Sequence, residues 1–226
     1  EIITFTGADD RTDAKHLVQM HEDTENGAPP GRPSIEFGIL FSPKLTGQRR
    51  YPSAQWVSRM MDVAGGRINL AAHICGDYSR ELLTTGTIRQ LVPLLAEGAF
   101  SRVQINSAAP DLLEKATDIA DWARRLGVNV ILQSRDSAVF PAQPPGISWL
   151  YDASGGRGIL PKQWPQEHGD RLVGHAGGLN LQNVTSAVRT ISTRSSRYWV
   201  DLETGARDHE DRSEEHTSEL QSLSHL

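Results

Sequence analysis

Eight short, β-rich apolar runs recur along this chain, and most are followed by a stretch with helical spacing. The runs are ITFTG (3–7), IEFGILF (35–41), RINLAAHI (67–74), RVQIN (102–106), NVILQS (129–134), ISWLYD (147–152), RLVGHAG (171–177) and YWVDL (198–202). Helical patterns fall near 12–22, 53–64, 87–97, 111–126 and 181–192; in DLLEKATDIADWARRLG an acidic start, a basic end and a terminal glycine mark both ends. The connections SRDSAVFPAQPPG and GILPKQWPQEHGD are rich in Pro and Gly, so any helix there is short. Strands that lack strict alternation are buried on both faces, and helices between them require parallel pairing. Eight such units predict an α/β fold closed as a parallel, eight-stranded (β/α)8 TIM barrel; an open doubly wound sheet is the other arrangement of the same units. A barrel gathers its chemistry at the C-terminal ends of the strands. The residues there are Thr6, Lys44, Arg50, His73, Cys75, Asn106, Asp152, Gly177, Gly178 and the stretch Asp201 to Gly205.

A chain of 226 residues is long enough for one such domain, expected over 1–211. ENGAPPGRPS (25–34) reads as a flexible insertion without chemistry. The formal charge of −5 and pI near 5.9 give no general reason to bind nucleic acid or an anionic membrane, so an anion site must be local. Cys75 is the single cysteine, which excludes a disulfide framework and an all-cysteine metal cluster and suits a reducing cytoplasm. The sequence has no apolar run of membrane-spanning length and no basic signal-peptide start, and a cytoplasmic protein is expected; nothing in it specifies an oligomeric state. The chain starts without Met, as a fragment would. RSEEHTSELQS (212–222) resembles the translation of a sequencing-library adapter. The segment 212–226 is therefore set apart from the domain, and the eighth helix is expected to be missing or replaced.

Three segments carry chemistry. VGHAGGLNLQNV (173–184) is a strand, a Gly-Gly turn and a helix start, whose N–H groups and dipole attract an anion. VDLETGARD (200–208) follows, and Thr204 and Gly205 can close the same pocket with Gly177 and Gly178; phosphate between strands seven and eight is a recurrent barrel site. LYDASGGRG (150–158) puts one carboxylate, Asp152, before flexible backbone, which suits proton transfer beside a bound anion and equally suits a tight turn. Lys44, Arg49, Arg50 and Arg157 are basic residues on the same face. Their convergence would favour a substrate with more than one anionic group, and solvated charges are the plainer reading.

These segments resemble phosphoribosylanthranilate isomerase over residues 2–208. FGILFSPKLTGQRRYPS is similar to that family's second-strand segment, RVQIN to its VQLHG, LYDASGGRG to its strand-six aspartate and glycine loop, HAGGLNLQNV to its AGGL-x-x-x-NV turn, and VDLETGARD to its D-x-SSG-V-E ending. The resemblance implies an Amadori rearrangement of a phosphorylated sugar-amine by an aldose-ketose isomerase, an intramolecular oxidoreductase, with a small phosphorylated substrate and no cofactor or metal. It implies Asp152 as the general acid, Arg50 facing a substrate carboxylate, Asp201 near the amine, and Gly177, Gly178, Thr204 and Gly205 on the phosphate. The chain departs from the pattern where Thr6 stands in place of the family's general-base cysteine, Thr4 in place of its lysine, Asn106 in place of the strand-four histidine, and Arg157 in place of a threonine. Threonine is no base at neutral pH. AAHICGD (71–77) offers His73 and Cys75 as replacements, alongside Asp77; His73 as a barrel-interior residue and Cys75 as a small core filler is the bland reading. His175 reads as structural. A noncatalytic phosphate-ligand binding barrel that has lost its base is the alternative from another class.

Overall fold

The β-branched and aromatic runs form eight strands: Ile2–Thr6 (β1), Ser34–Phe41 (β2), Asn69–Ile74 (β3), Arg102–Ile105 (β4), Asn129–Ser134 (β5), Ile147–Tyr151 (β6), Leu172–His175 (β7) and Arg197–Leu202 (β8). Each pairs in parallel with the next, and β8 returns to β1, so the sheet is a closed barrel in sequence order. Helices Ala14–Glu25 (α1), Ala54–Ala64 (α2), Asp77–Thr85 (α3), Val92–Ala96 (α4), Ala116–Arg125 (α5) and Val184–Ile191 (α6) lie between strands. This computed structural model describes residues 2–26, 33–135, 138–142, 144–155 and 157–207. Most of the insertion expected at 25–34 lies outside them, although Glu25 ends α1 and Ser34 begins β2. The segment 212–226 and any eighth helix also lie outside the described residues.

Local signals start and stop these helices. The Asp13 side chain accepts from Lys15 N at 2.9 Å, and the Ser53 hydroxyl accepts from Trp56 N at 3.2 Å. Gly65 ends α2 in the left-handed region at φ 52°, where a side chain would be strained. The helix over 77–85 has no counterpart in the helical patterns of the sequence. Its buried positions are only Ser79, Leu82 and Leu83, and Ser79 stands where an apolar residue would have completed the stripe. Its hydroxyl donates to Ile74 O at 2.8 Å and Asn106 O at 3.0 Å, so the position is satisfied by hydrogen bonds instead. The pattern near 87–97 becomes a single short helix at 92–96, and the one near 111–126 becomes helical from Ala116.

The barrel interior is divided. On the β5–β8 side Ile131, Leu150, Ala176 and Trp199 form an apolar plug. Gly174 has to be glycine, since an added Cβ would overlap the Trp199 ring and approach Leu150 to 2.7 Å. On the β1–β4 side the interior is polar. Arg102 Nε donates to Glu36 Oε2 at 2.7 Å, its Nη2 bonds Glu36 Oε1, and Thr4 donates to Glu36 Oε1 at 2.9 Å. The guanidinium lies 4.5 Å from the centre of the Trp199 ring, joining the two halves.

His175 sits outside the barrel wall with no exposure, its ring 5.4 Å from Phe140, 5.4 Å from Trp164 and 6.4 Å from Tyr198. Neither ring nitrogen has a hydrogen-bond partner among the described residues. Burial lowers its pKa to about 3, so the folded protein holds it neutral while the unfolded chain takes a proton below pH 6.5. Stability from this group is therefore complete above 6.5 and falls towards pH 3, by about 1.4 kcal/mol per pH unit. We expect His175→Phe to raise stability at pH 7 by about 1–3 kcal/mol, because two unpartnered nitrogens are removed. The gain grows as the pH falls to 5. Urea titrations at both pH values check this; an equal loss at both would show that the imidazole has a partner.

Candidate active site

Inward-facing residues at the strand ends line a cavity of about 490 Å³, a size suited to a small metabolite. His73, Cys75, Asn106, Asp152, Arg157, Gly177, Gly178, Asp201, Thr204 and Gly205 all face it. Glu203, within the predicted stretch Asp201 to Gly205, faces it too, and so do Tyr51, Gln104, Gln133, Arg135 and Asn180, which are absent from the sequence-predicted set. Gln133 on β5 and Arg135, just past its end, continue the alternation of an interior pair, and that period was the available signal.

Arg50 is not among the cavity-lining residues. Its backbone is left-handed at φ 70°, its N–H donates to Asp9 Oδ2 at 2.8 Å, and its guanidinium bonds Glu203 at 3.1 Å and Thr204 at 3.0 Å. It thus ties the loop after β2 to the loop after β8. Lys44 points away and pairs with Asp77 at 3.0 Å. Arg49 is exposed and does not line the cavity. The four basic residues therefore do not converge; Arg157 alone of them reaches the cavity.

Asp152 is 6 % exposed, and its Oδ1 accepts from Ser154 N at 3.0 Å, the Ser154 hydroxyl at 2.7 Å and Gly155 N at 3.1 Å. It anchors the tight turn, as one sequence reading of LYDASGGRG has it, and it also lines the cavity. Across the barrel mouth Asp201 is 9 % exposed and accepts from the Thr6 hydroxyl at 2.7 Å. Burial raises its pKa to about 7; the Thr6 hydroxyl and Arg102 oppose the rise, while Glu36 and Asp152 add to it.

His73 and Cys75 are placed together but are poor bases. Burial lowers the His73 pKa to about 4, and its ring packs against Gly38, with Gln104 Nε2 at 3.4 Å from Nδ1. Burial raises the Cys75 pKa to about 11; the Asn106 amide donates to its sulfur at 3.2 Å, and burial also pushes the neighbouring Tyr51 hydroxyl up. No hydrogen bond joins the His73 ring to the Cys75 thiol among the described residues. Of the carboxylates that line the cavity, Asp201 has its pKa raised to about 7, and burial pushes that of Glu203 up as well.

The glycine turn is built by close backbone approach. A Cβ on Gly178 would collide with Leu160 N and lie 2.9 Å from Gly158 O, while one on Gly205 would overlap Leu179 O. Both glycines are needed to seat the loops after β6, β7 and β8 against each other. Asn180 and Asn183 fix the entry to α6: Asn180 Oδ1 accepts from Gln182 N at 3.0 Å, and Asn183 Nδ2 donates to Gly178 O at 2.9 Å. The N–H groups of Gly177 and Gly178 have no partner among the described residues and lie at the cavity wall. Among the described residues no group of three or more His, Cys, Asp or Glu is placed to hold a metal ion, and no helix is long and apolar enough to cross a membrane.

Barrel, mouth cavity and backbone turn together define the class: a (β/α)8 barrel with a polar site at its C-terminal end. Solved structures agree on the fold. A chain of the tryptophan synthase complex from Pyrococcus furiosus superposes with a TM-score of 0.52 at 13% identity, covering 98% of this chain and 95% of that one. Tryptophan synthase subunit alpha from Campylobacter jejuni superposes with a TM-score of 0.50 at 10% identity, covering 99% and 92%. At these identities the likeness is one of fold. No family model and no curated protein matches the sequence.

Proposed function

We propose that the barrel isomerises a phosphorylated sugar or sugar-amine from aldose to ketose by acid-base catalysis, phosphoribosylanthranilate being the first substrate to try. The observation that carries this reading is Asp201, a buried carboxylate with a pKa of about 7, in the same cavity as Asp152 and the glycine turn. An Amadori rearrangement needs one group to protonate the ring oxygen and another to take the proton from the adjacent carbon. Asp152, on the loop after β6, gives its proton to the ring oxygen; Asp201 takes the carbon-bound proton. Thr6 stands where the resembled family has its basic cysteine, and its hydroxyl touches Asp201, so the base has moved by one hydrogen bond. The N–H groups of Gly177 and Gly178, with Thr204 and Gly205, hold the phosphate.

Turnover of phosphoribosylanthranilate, followed by fluorescence loss, tests the reading. We expect Asp152→Asn to fold and to lose at least about 100-fold in kcat, on the order of a general-acid contribution. Binding without turnover by the unaltered chain would instead identify a noncatalytic phosphate-ligand barrel.

A further inference from the structure

A second cavity, of about 340 Å³, lies in the helical layer outside the barrel wall, between α2 and the short helix α4. Helix α2 packs along α1, and no comparable packing joins it to α3 or α4 among the described residues, which leaves a gap in the layer. Apolar side chains floor the gap: Phe41 from the end of β2, Val57 and Met61 from α2, and Leu91 and Leu94 from the start and middle of α4. The Phe41 ring is held edge-on by Phe100, 5.8 Å between centres. The Tyr78 hydroxyl, also at the lining, donates to Gln90 Oε1 at 2.7 Å and joins α3 to the turn before α4. Leu40 is the one residue this cavity shares with the mouth cavity, so the two are separate sites.

The polar residues of the lining give it a sign. Asp62 on α2 and Glu97 just past α4 bring one carboxylate from each side, and the lining holds no Lys, Arg or His. Neither carboxylate has an ion pair or a hydrogen bond among the described residues. An apolar floor under an acidic rim recognises an apolar body with one cationic end. The floor supplies affinity by burying apolar surface. The carboxylates, which are exposed, add orientation and reject anions more than they add affinity. The volume lies at the small end of the range for ligand sites and suits one ring with a short chain.

We propose that the gap between α2 and α4 binds a small aralkyl amine, its ring against Phe41, Met61 and Leu94 and its ammonium between Asp62 and Glu97. The site goes beyond the proposed isomerisation and does not depend on it, since none of the groups assigned to that reaction lines this cavity.

Isothermal titration of the full chain at low ionic strength decides it, with 4-phenylbutylamine, 4-phenylbutanol and 4-phenylbutyrate as probes that share one body and differ in charge. The expected result is that the amine binds tenfold or more tightly than the butyrate, with the alcohol between them, and that added salt shrinks the difference. The double variant Asp62→Asn, Glu97→Gln should bring the amine and the butyrate together. Ser58→Trp, on the α2 side of the lining, fills the gap and should abolish amine binding, whereas Asp201→Asn in the mouth should leave it. Ser58, Asp62 and Glu97 are all exposed, so these variants keep the core intact, and circular dichroism checks it. Equal affinities for the three probes would overturn the assignment of a cation. Amine binding that survives Ser58→Trp would place the probe elsewhere and overturn the site, as would a failure of all three probes to bind.

Discussion

Arg102→Met is expected to cost the fold about 3–5 kcal/mol at pH 7.5. The side chains of Arg102 and Glu36 are 7% and 3% exposed, and the guanidinium supplies two of the hydrogen bonds that hold Glu36 in the barrel. Without it an uncompensated carboxylate remains in the interior, with the Thr4 hydroxyl as its one side-chain donor among the described residues. The double variant Glu36→Met, Arg102→Met should recover most of the loss, because the desolvation cost of both charges disappears together. Urea unfolding of the two variants checks this; equal losses in both would mean that packing of Arg102 on Trp199, rather than charge, sets the cost. The pair also reaches the site: Glu36 raises and Arg102 lowers the Asp201 pKa. Breaking it from the arginine side therefore pushes Asp201 further up.

The barrel was legible because its signals are local. Runs such as NVILQS declare a strand by residue type, and the Gly-Gly turn announces a helix, although α6 begins at Val184, later than the pattern near 181–192. The cavity was legible as far as strand ends could be counted, which brought Asp152, Asp201, Gly177 and Thr204 to one place. What was hidden depends on closure. Thr6 and Asp201 are 195 residues apart and meet only because β8 pairs with β1. No spacing rule reports that contact, so Thr6 reads in the sequence as a lost base, whereas in the fold its hydroxyl bonds Asp201. Arg50 and Arg135 show the same limit in opposite directions. Arg50, prominent in its motif, is drawn aside by Glu203 and Thr204. Arg135 lies in a segment without a motif and enters the cavity through strand alternation alone. His73 and Cys75 were correctly brought to the mouth, but their chemistry follows burial, which a sequence of mixed polar and apolar residues does not display.

Asp201→Asn separates catalysis from stability. If Asp201 is the base, the variant loses about 10²–10⁴-fold in kcat/KM for a turned-over substrate, the range of a general acid-base group. Its stability moves the other way. The folded carboxylate keeps its proton up to about pH 7, whereas the unfolded one releases it near 3.8. Protonation thus favours the fold fully below 3.8, and that stability is lost as pH rises through 7. Removing the ionisable group should therefore make the variant more stable than the original at pH 8, on the order of 3 kcal/mol, with little difference at pH 4. A structural carboxylate would give the reverse, a loss at pH 8. The Thr6 hydroxyl supplies an independent reading, since it opposes the rise of the Asp201 pKa. Thr6→Val should shift the acidic limb of the kcat/KM profile upward by about one pH unit, the worth of a hydrogen bond to a charged group. Thr6→Ser keeps the hydroxyl and should restore the original limb; a profile unmoved by Thr6→Val would place the titrating base elsewhere in the cavity.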